Sequence, residues 1–135
     1  MQPAVFDQAP EVDLHARASR ERLARMVVSL LDHWSLAPND QAVLLGLSTQ
    51  SRSTIARYRR GEPLADSADL LARAGHLLGI HKALRILFPQ NRDLAYRWVS
   101  TPNRRFGASP LEMMKRHGYE GILAVRRYLD FERGR

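Results

Sequence analysis

The densest group of hydrogen-bonding side chains in this 135-residue sequence lies between Ser48 and Gly61, where there are four arginines and no acidic residue. Guanidinium groups suit phosphate oxygens and guanine edges, and short polar side chains suit other base edges. This composition predicts contact with DNA, and the alternative is a solvated basic helix in a bundle. The candidate DNA-contacting residues are Thr49, Gln50, Ser51, Arg52, Ser53, Thr54, Arg57, Arg59 and Arg60.

Two short helices around a glycine-containing turn would present these side chains to a major groove. The sequence predicts helices over 38–45 and 51–60, with Gly46 at the turn and Ala42 small enough for a close crossing. In a helix-turn-helix, the N-terminal residues of the second helix meet base edges. Residues 50–53 are therefore candidates for bases, and the later arginines for phosphates. Ile55 falls about three places late for the usual spacing, so a longer turn is expected.

Histidines and carboxylates do not form a catalytic or metal-binding pattern. The five histidines lie at positions 15, 33, 76, 81 and 117, and His76 and His81 are not spaced to share a helix face. The absence of cysteine excludes disulfides, thiolate–zinc sites and cysteine nucleophiles. There is no phosphate-binding glycine loop, nucleophile elbow or HExxH motif. The sequence predicts a protein that is not an enzyme and holds no metal or cofactor.

The net charge indicates the kind of binding partner, and the N-terminal residues indicate the cellular location. A formal net charge of +7 and a pI near 10.7 favour a polyanionic partner. The first residues, MQPAVFDQAPEVD, lack the basic and apolar regions of a secretory signal. No apolar run approaches the roughly 20 residues that cross a bilayer. We expect a cytoplasmic protein whose residues 1–13 form a flexible arm.

Apolar residues recur at helical spacing along the rest of the chain, and no segment alternates for long enough to form a strand. The predicted fold is all-α, with a helix-turn-helix domain at 14–88 and a small helical domain at 89–135, divided near Pro89. The further helices are predicted over 15–34, 64–88, 91–99, 110–118 and 119–131.

Local signals mark the ends and weak points of these helices. Ser109 and Glu112 carry the side chains of a capping box, with Pro110 at the first helical position. Gly75 and Gly79 weaken the 64–88 helix and mark where it could bend or break.

The segment from Leu87 to the C-terminus carries an ordered set of residues typical of one protein family. They are Trp98, Pro102-Asn103, Phe106-Gly107, Ser109-Pro110-Leu111, Gly118 and a closing leucine-containing helix before a glycine. In this order the segment resembles the toxin-binding domain of the MbcA/ParS/Xre antitoxins. The preceding segment resembles their Xre-type helix-turn-helix domain, and the resemblance covers about residues 20–135.

The resemblance implies a type II antitoxin that binds and neutralises a toxin encoded beside it. Such toxins are commonly of the RES type, which consumes NAD, and others are related ADP-ribosyl-transferring proteins. The family typically self-associates, so a homodimer is expected, and members with a helix-turn-helix often repress their own operon. Two alternatives stay open: a helix-turn-helix that only dimerises or contacts the toxin, and a plain transcription regulator without a toxin.

The same resemblance points to candidate toxin-binding residues. They are Trp98, Asn103, Arg104, Arg105, Phe106, Arg133 and Arg135. Trp98 and Phe106 could equally be core or loop anchors, and exposed loop arginines are usually only solvated. The basic C-terminal end, Glu132–Arg135, could fill a pocket built for a diphosphate. The alternative for that end is a frayed terminus.

Overall fold

The computed structural model describes residues 12–134; Arg135 and residues 1–11, which include most of the predicted arm, lie outside them. Within 12–134 the chain forms six α-helices and no strand, which confirms the predicted all-α class. The helices are α1 Arg17–His33, α2 Pro38–Leu44, α3 Arg52–Arg59, α4 Ala68–Leu87, α5 Arg92–Arg97 and α6 Pro110–Arg133, with a 3₁₀ turn at Trp98–Ser100.

Helix α1 is amphipathic and ends at a residue in the left-handed region. Its buried stripe consists of Ala24, Val27, Val28, Leu30 and Leu31. Ser35 has a φ of 59°, and the Leu36 N–H donates to the Leu31 carbonyl at 3.2 Å. A left-handed residue here turns the chain and satisfies a terminal carbonyl. The chain therefore enters α2 at the predicted break, although α1 begins at Arg17 rather than at residue 15.

Helix α4 begins later than predicted because the chain before it docks on α1. Leu64 is fully buried, and its N–H donates to the Arg20 carbonyl at 3.1 Å. Arg20 Nη1 in turn donates to the Leu64 carbonyl at 2.8 Å. The helix starts at Ala68, where the Ser67 hydroxyl accepts the Leu70 N–H. An extended, anchored segment thus replaces the first turn expected from residue 64.

Helix α4 runs without a break through the two glycines where a bend or break was expected. The position that a Cβ would occupy is open at Gly75, but at Gly79 it lies 2.6 Å from the Arg126 guanidinium carbon. Buried residues continue on both sides of the glycines, from Leu70 to Leu84. Packing along the whole helix therefore outweighs the intrinsic helix cost of about 1 kcal/mol for each glycine.

Helix α6 consists of two helical segments that meet at Gly118, where the break between helices was predicted. Gly118 has φ 60° and ψ −133°, a backbone conformation that residues other than glycine rarely adopt. The Ser109 hydroxyl accepts the Glu112 N–H at 3.1 Å, as the capping signal predicts. The Glu112 carboxylate pairs with Lys115 instead of completing the box.

Both halves of the chain contribute to one continuous cluster of buried side chains. Helix α6 packs against α4 and against α2, while α1 packs against α3 and α4. The fully buried residues include Leu31 and Leu44 from the first part of the chain, and Met114 and Ile122 from the last. The C-terminal helix is therefore placed directly on the first helix of the predicted helix-turn-helix.

Candidate functional site

Helices α2 and α3 form a helix-turn-helix with a long connection over residues 45–51. Gly46 has a φ of 72°, its N–H donates to Val43, and the Leu47 N–H donates to Ala42 at 2.8 Å. These bonds close the end of α2 and redirect the chain. Ala42 is buried where the helices meet. The extended turn expected from the late position of Ile55 is present.

Helix α3 buries one side and presents the predicted DNA-contacting residues around the other. Ile55 and Tyr58 are buried, and the Tyr58 hydroxyl accepts the Ala65 N–H at 3.3 Å. The exposed candidates are Thr49, Gln50, Arg52, Ser53, Arg57, Arg59 and Arg60, and the partly buried ones are Ser51 and Thr54. The Ser51 side chain makes no capping hydrogen bond to its own helix. The start of α3 is thus a surface of polar side chains.

Arg59 is held within the protein by a bidentate ion pair with Asp32 of α1. Arg59 Nε donates to Asp32 Oδ2 at 3.0 Å, and Arg59 Nη2 donates to Asp32 Oδ1 at 3.0 Å. Buried Gln41 of α2 donates to the same carboxylate at 2.8 Å and to the Leu36 carbonyl. The hydrogen bonds from Arg59, opposed by partial burial, hold the pKa of Asp32 below its ordinary value. This network joins the three helices at the C-terminal end of α3.

The other arginines at α3 differ in whether their guanidinium groups already make ion pairs within the protein. Arg57 pairs with Glu62 at 3.3 Å and lies 3.4 Å from the Thr54 hydroxyl. Arg52 and Arg60 make no ion pair with residues 12–134. Arg25 of α1, which sequence reasoning missed, lies beside this end of α3, since its Nη1 would be 2.8 Å from a Cβ at Gly61. Only packing of α1 on α3 brings it there.

A second group of candidates meets around Tyr128 of α6, a residue that the sequence analysis did not include among the toxin-binding candidates. The Trp98 ring stacks on Tyr128 at 6.2 Å between centroids, and the Phe106 ring meets it edge-on at 5.3 Å. The guanidinium carbon of Arg105 lies 5.8 Å from the Tyr128 centroid, a cation–π distance. All three rings are partly exposed. We name Trp98, Arg105, Phe106 and Tyr128 the aromatic cluster.

Asn103 shapes the loop that carries this cluster. Its N–H donates to the Ala108 carbonyl at 3.0 Å, and its Oδ1 accepts the Arg105 N–H at 2.8 Å. Its own carbonyl accepts the Phe106 N–H at 3.1 Å. Gly107, with a φ of 69°, completes the tight turn. Asn103 therefore fixes the loop, while Arg104 at its tip is exposed.

Of the two candidates at the end of the chain, the structure describes only Arg133. Arg133 is exposed and lies 3.7 Å from Asp130 of the same helix. Arg135 lies outside the described residues.

Three of the five histidines, His33, His76 and His81, make contacts within the fold. The Tyr96 ring lies between His33, at 4.9 Å, and His81, at 5.4 Å. Arg126 can only donate, so His76 Nδ1 accepts its hydrogen bond at 2.8 Å. Burial, aided by Arg126, lowers the pKa of His76. Among residues 12–134, no group of three histidine or acidic side chains could hold a metal ion.

Polar contacts connect α2 of the helix-turn-helix to α6 and to α4. Lys115 of α6 pairs with Asp40 of α2 at 3.0 Å, which raises the pKa of Lys115. Arg73 of α4, nearly buried, donates to Asp69 and to the Leu44 carbonyl at the end of α2. Tertiary packing thus brings together Asp40 and Lys115, and Leu44 and Arg73, which are far apart in the sequence.

Sequence models of known protein domains match both parts of the chain. The sequence model of the antitoxin Xre-like helix-turn-helix domain matches residues 13–79, and that of the antitoxin Xre/MbcA/ParS C-terminal toxin-binding domain matches residues 83–135. The uncharacterized protein y4oB of Sinorhizobium fredii (strain NBRC 101917 / NGR234) is 40% identical over 106 residues, which cover 78% of this chain and 79% of that protein. None of the helices within residues 12–134 is long and apolar enough to cross a membrane. The chain therefore belongs to the Xre/MbcA/ParS antitoxin family.

Proposed function

We propose that this antitoxin neutralises a RES-type, NAD-consuming toxin and represses its own operon as a homodimer. The observation that carries the toxin half is the aromatic cluster, a partly exposed group of rings flanked by arginines within the toxin-binding domain. Trp, Tyr and Arg are enriched among the few residues that dominate the binding energy of protein interfaces. In this proposal the antitoxin acts by occlusion and performs no reaction of its own.

Within the proposed toxin interface, the aromatic cluster and the loop around Asn103 have different roles. Trp98, Phe106 and Tyr128 form a platform that is already ordered before binding, which reduces the entropy lost on association. Arg105 holds its guanidinium near the Tyr128 ring and, with exposed Arg104, can meet carboxylates of the toxin. Asn103 acts through the loop by fixing its shape. The basic end, Arg133 and Arg135, approaches the part of the toxin that binds a diphosphate.

For the DNA half, the polar start of α3 supports insertion into a major groove. Gln50, Ser51, Arg52 and Ser53 contact bases in this proposal, and Arg57 and Arg60 contact phosphates, beside Thr49 and Thr54. Arg59 positions α3 through Asp32 rather than contacting DNA, because its guanidinium is already engaged in two hydrogen bonds. Arg25 joins the phosphate contacts. A homodimer places two α3 helices about one helical turn apart on a palindrome.

Co-purification from the native operon tests the toxin half. A tagged antitoxin is expected to retain one operon-encoded protein, whose production alone depletes cellular NAD and whose production with the antitoxin does not. A retained partner that leaves NAD unchanged contradicts the RES assignment but keeps the antitoxin. Deletion of residues 132–135 tests the terminal end, since unchanged neutralisation would exclude a role for it.

A gel shift with the native promoter tests the DNA half. We expect salt-sensitive binding to a palindrome, because neutralising phosphates releases counterions. Binding equal to that of a scrambled fragment of the same length contradicts operator recognition. It would favour a helix-turn-helix that serves only dimerisation or toxin contact.

A further inference from the structure

A groove of about 580 Å³ runs between α1 and α4, and no residue of the aromatic cluster or of α3 lines it. Met26 of α1 and Leu78 and Ile86 of α4 provide its apolar surface. Met26 is 47% exposed and Ile86 49% exposed, and they are two of the five large apolar side chains that residues 12–134 expose. Exposed apolar side chains gathered in one groove mark an interaction surface more often than scattered ones do.

The same groove is cationic along α4. Lys82 and Arg85 line it one turn apart, and Arg85 and Arg92 also line an adjoining cavity of about 140 Å³. Neither cavity has an acidic residue among its lining residues. Within residues 12–134, Lys82, Arg85 and Arg92 form no hydrogen bond or ion pair through their side chains. The groove and the adjoining cavity together therefore combine an apolar surface with three positively charged side chains, and no acidic residue lines either of them.

The apolar and positively charged side chains of the groove together favour one kind of binding partner over others. Two copies joined through this groove would face each other with like charges, which opposes association. DNA would satisfy the cations but leave Met26, Leu78 and Ile86 against phosphate and sugar. An amphipathic helix with acidic flanks satisfies both features, because its apolar face fills the groove and its carboxylates meet Lys82, Arg85 and Arg92.

We infer that this groove receives an acidic amphipathic helix of the toxin, as a contact additional to the aromatic cluster. The toxin is the occupant because Arg85, Ile86 and Arg92 lie within residues 83–135, the toxin-binding domain of the family. Met26 and Leu78 lie within the helix-turn-helix match at 13–79, so toxin bound here touches both parts of the chain. This inference rests on the proposed function, since it requires that the chain binds a toxin.

The test measures the affinity of full-length variants for the toxin purified from the native operon. Lys82→Glu/Arg85→Glu is expected to raise the Kd about tenfold or more, with an effect that shrinks as salt is added. Met26→Ser/Ile86→Ser is expected to raise the Kd by a similar factor that salt does not reduce. Because all four side chains are exposed or partly so, circular dichroism should show folding unchanged.

Arg17→Glu/Arg116→Glu is the matched control. It makes the same change in net charge at exposed positions outside both cavities. Its Kd should stay within about twofold of the parent value. An equal loss in the control and in Lys82→Glu/Arg85→Glu would overturn the groove as a specific surface.

Two further measurements separate the other occupants. Sedimentation of the chain alone would overturn the inference if Met26→Ser/Ile86→Ser dissociated a parent dimer, since the occupant would then be a second copy. A gel shift would overturn it if Lys82→Glu/Arg85→Glu weakened promoter binding and the control did not. If the toxin binds the parent chain and both groove variants equally, this inference fails alone. If the toxin does not bind the parent chain, the proposed function fails first.

Discussion

Arg59 and Asp32 are joined by two hydrogen bonds of 3.0 Å, so one of the arginines of the basic helix α3 is committed to holding that helix on α1. Both side chains are nearly half exposed, at 47% and 43%, and solvent screening limits the strength of the pair. The pair matters for orientation, because together with buried Gln41 it fixes the C-terminal end of α3 against α1 and α2. In the proposed function, the orientation of α3 on DNA depends on this ion pair.

A double-mutant cycle should detect this network. Asp32→Ala and Arg59→Ala are expected to show a coupling of about 0.5–1 kcal/mol in the free energy of unfolding by urea. The exposed pair Arg57 and Glu62, at 3.3 Å, is the matched control and should show about 0–0.5 kcal/mol. Equal coupling in the two cycles would contradict a special role for the Asp32 network.

The same carboxylate should make stability depend on pH in the acid range. Because the pKa of Asp32 is lowered in the folded state, its contribution is fully present above its unfolded pKa of about 4. It is lost as the pH falls through the lower folded pKa. The difference in unfolding free energy between the parent and Asp32→Asn should therefore shrink below about pH 4. A difference that grows on acidification would contradict the assignment.

Alanine substitutions of Arg52 and Arg59 should distinguish a residue that contacts DNA from one that positions α3. Arg52→Ala is expected to weaken promoter binding about tenfold, reduce the salt slope by about one, and leave the Tm unchanged. Arg59→Ala should lower both the Tm and the DNA affinity, because it loosens α3. Unchanged promoter binding by Arg52→Ala would remove this residue from the proposed interface.

Alanine at two glycines should change stability in opposite directions. Gly75→Ala adds a methyl group in open space on a regular helix, and we expect a gain of about 0.5–1 kcal/mol in unfolding free energy. Gly118→Ala forces a side chain into φ 60° and ψ −133°, and we expect a loss of about 1–3 kcal/mol. Urea unfolding of both variants measures this. A stabilised Gly118→Ala would contradict the kink in α6.

A substitution at Arg105 tests the aromatic cluster without disturbing the fold. Arg105→Gln removes the cation from beside the Tyr128 ring and should weaken toxin binding about 3- to 30-fold, with an unchanged Tm. Arg97→Gln, which removes an exposed cation of α5 outside the cluster, is the control. Equal affinity in both variants would exclude Arg105 from the toxin interface.

The sequence by itself determined the all-α class, most helix boundaries and the family. These features are local: the 3.6-residue spacing of apolar side chains, the Ser109-Pro110 cap and the break at Gly118 each depend on neighbouring residues. Even the long turn before α3 could be anticipated, from the late position of Ile55. The order of Trp98, Phe106-Gly107 and Gly118 was enough to indicate the antitoxin family.

Only the tertiary structure decided which of those residues meet. Asp32 and Arg59 are far apart in sequence, as are Asp40 and Lys115, and their pairing requires α1 to pack on α3 and α2 to pack on α6. Packing also kept α4 continuous through Gly75 and Gly79, although glycine lowers intrinsic helix stability. It placed Tyr128 at the centre of the aromatic cluster. Such contacts depend on long-range packing, which no pattern of neighbouring residues encodes.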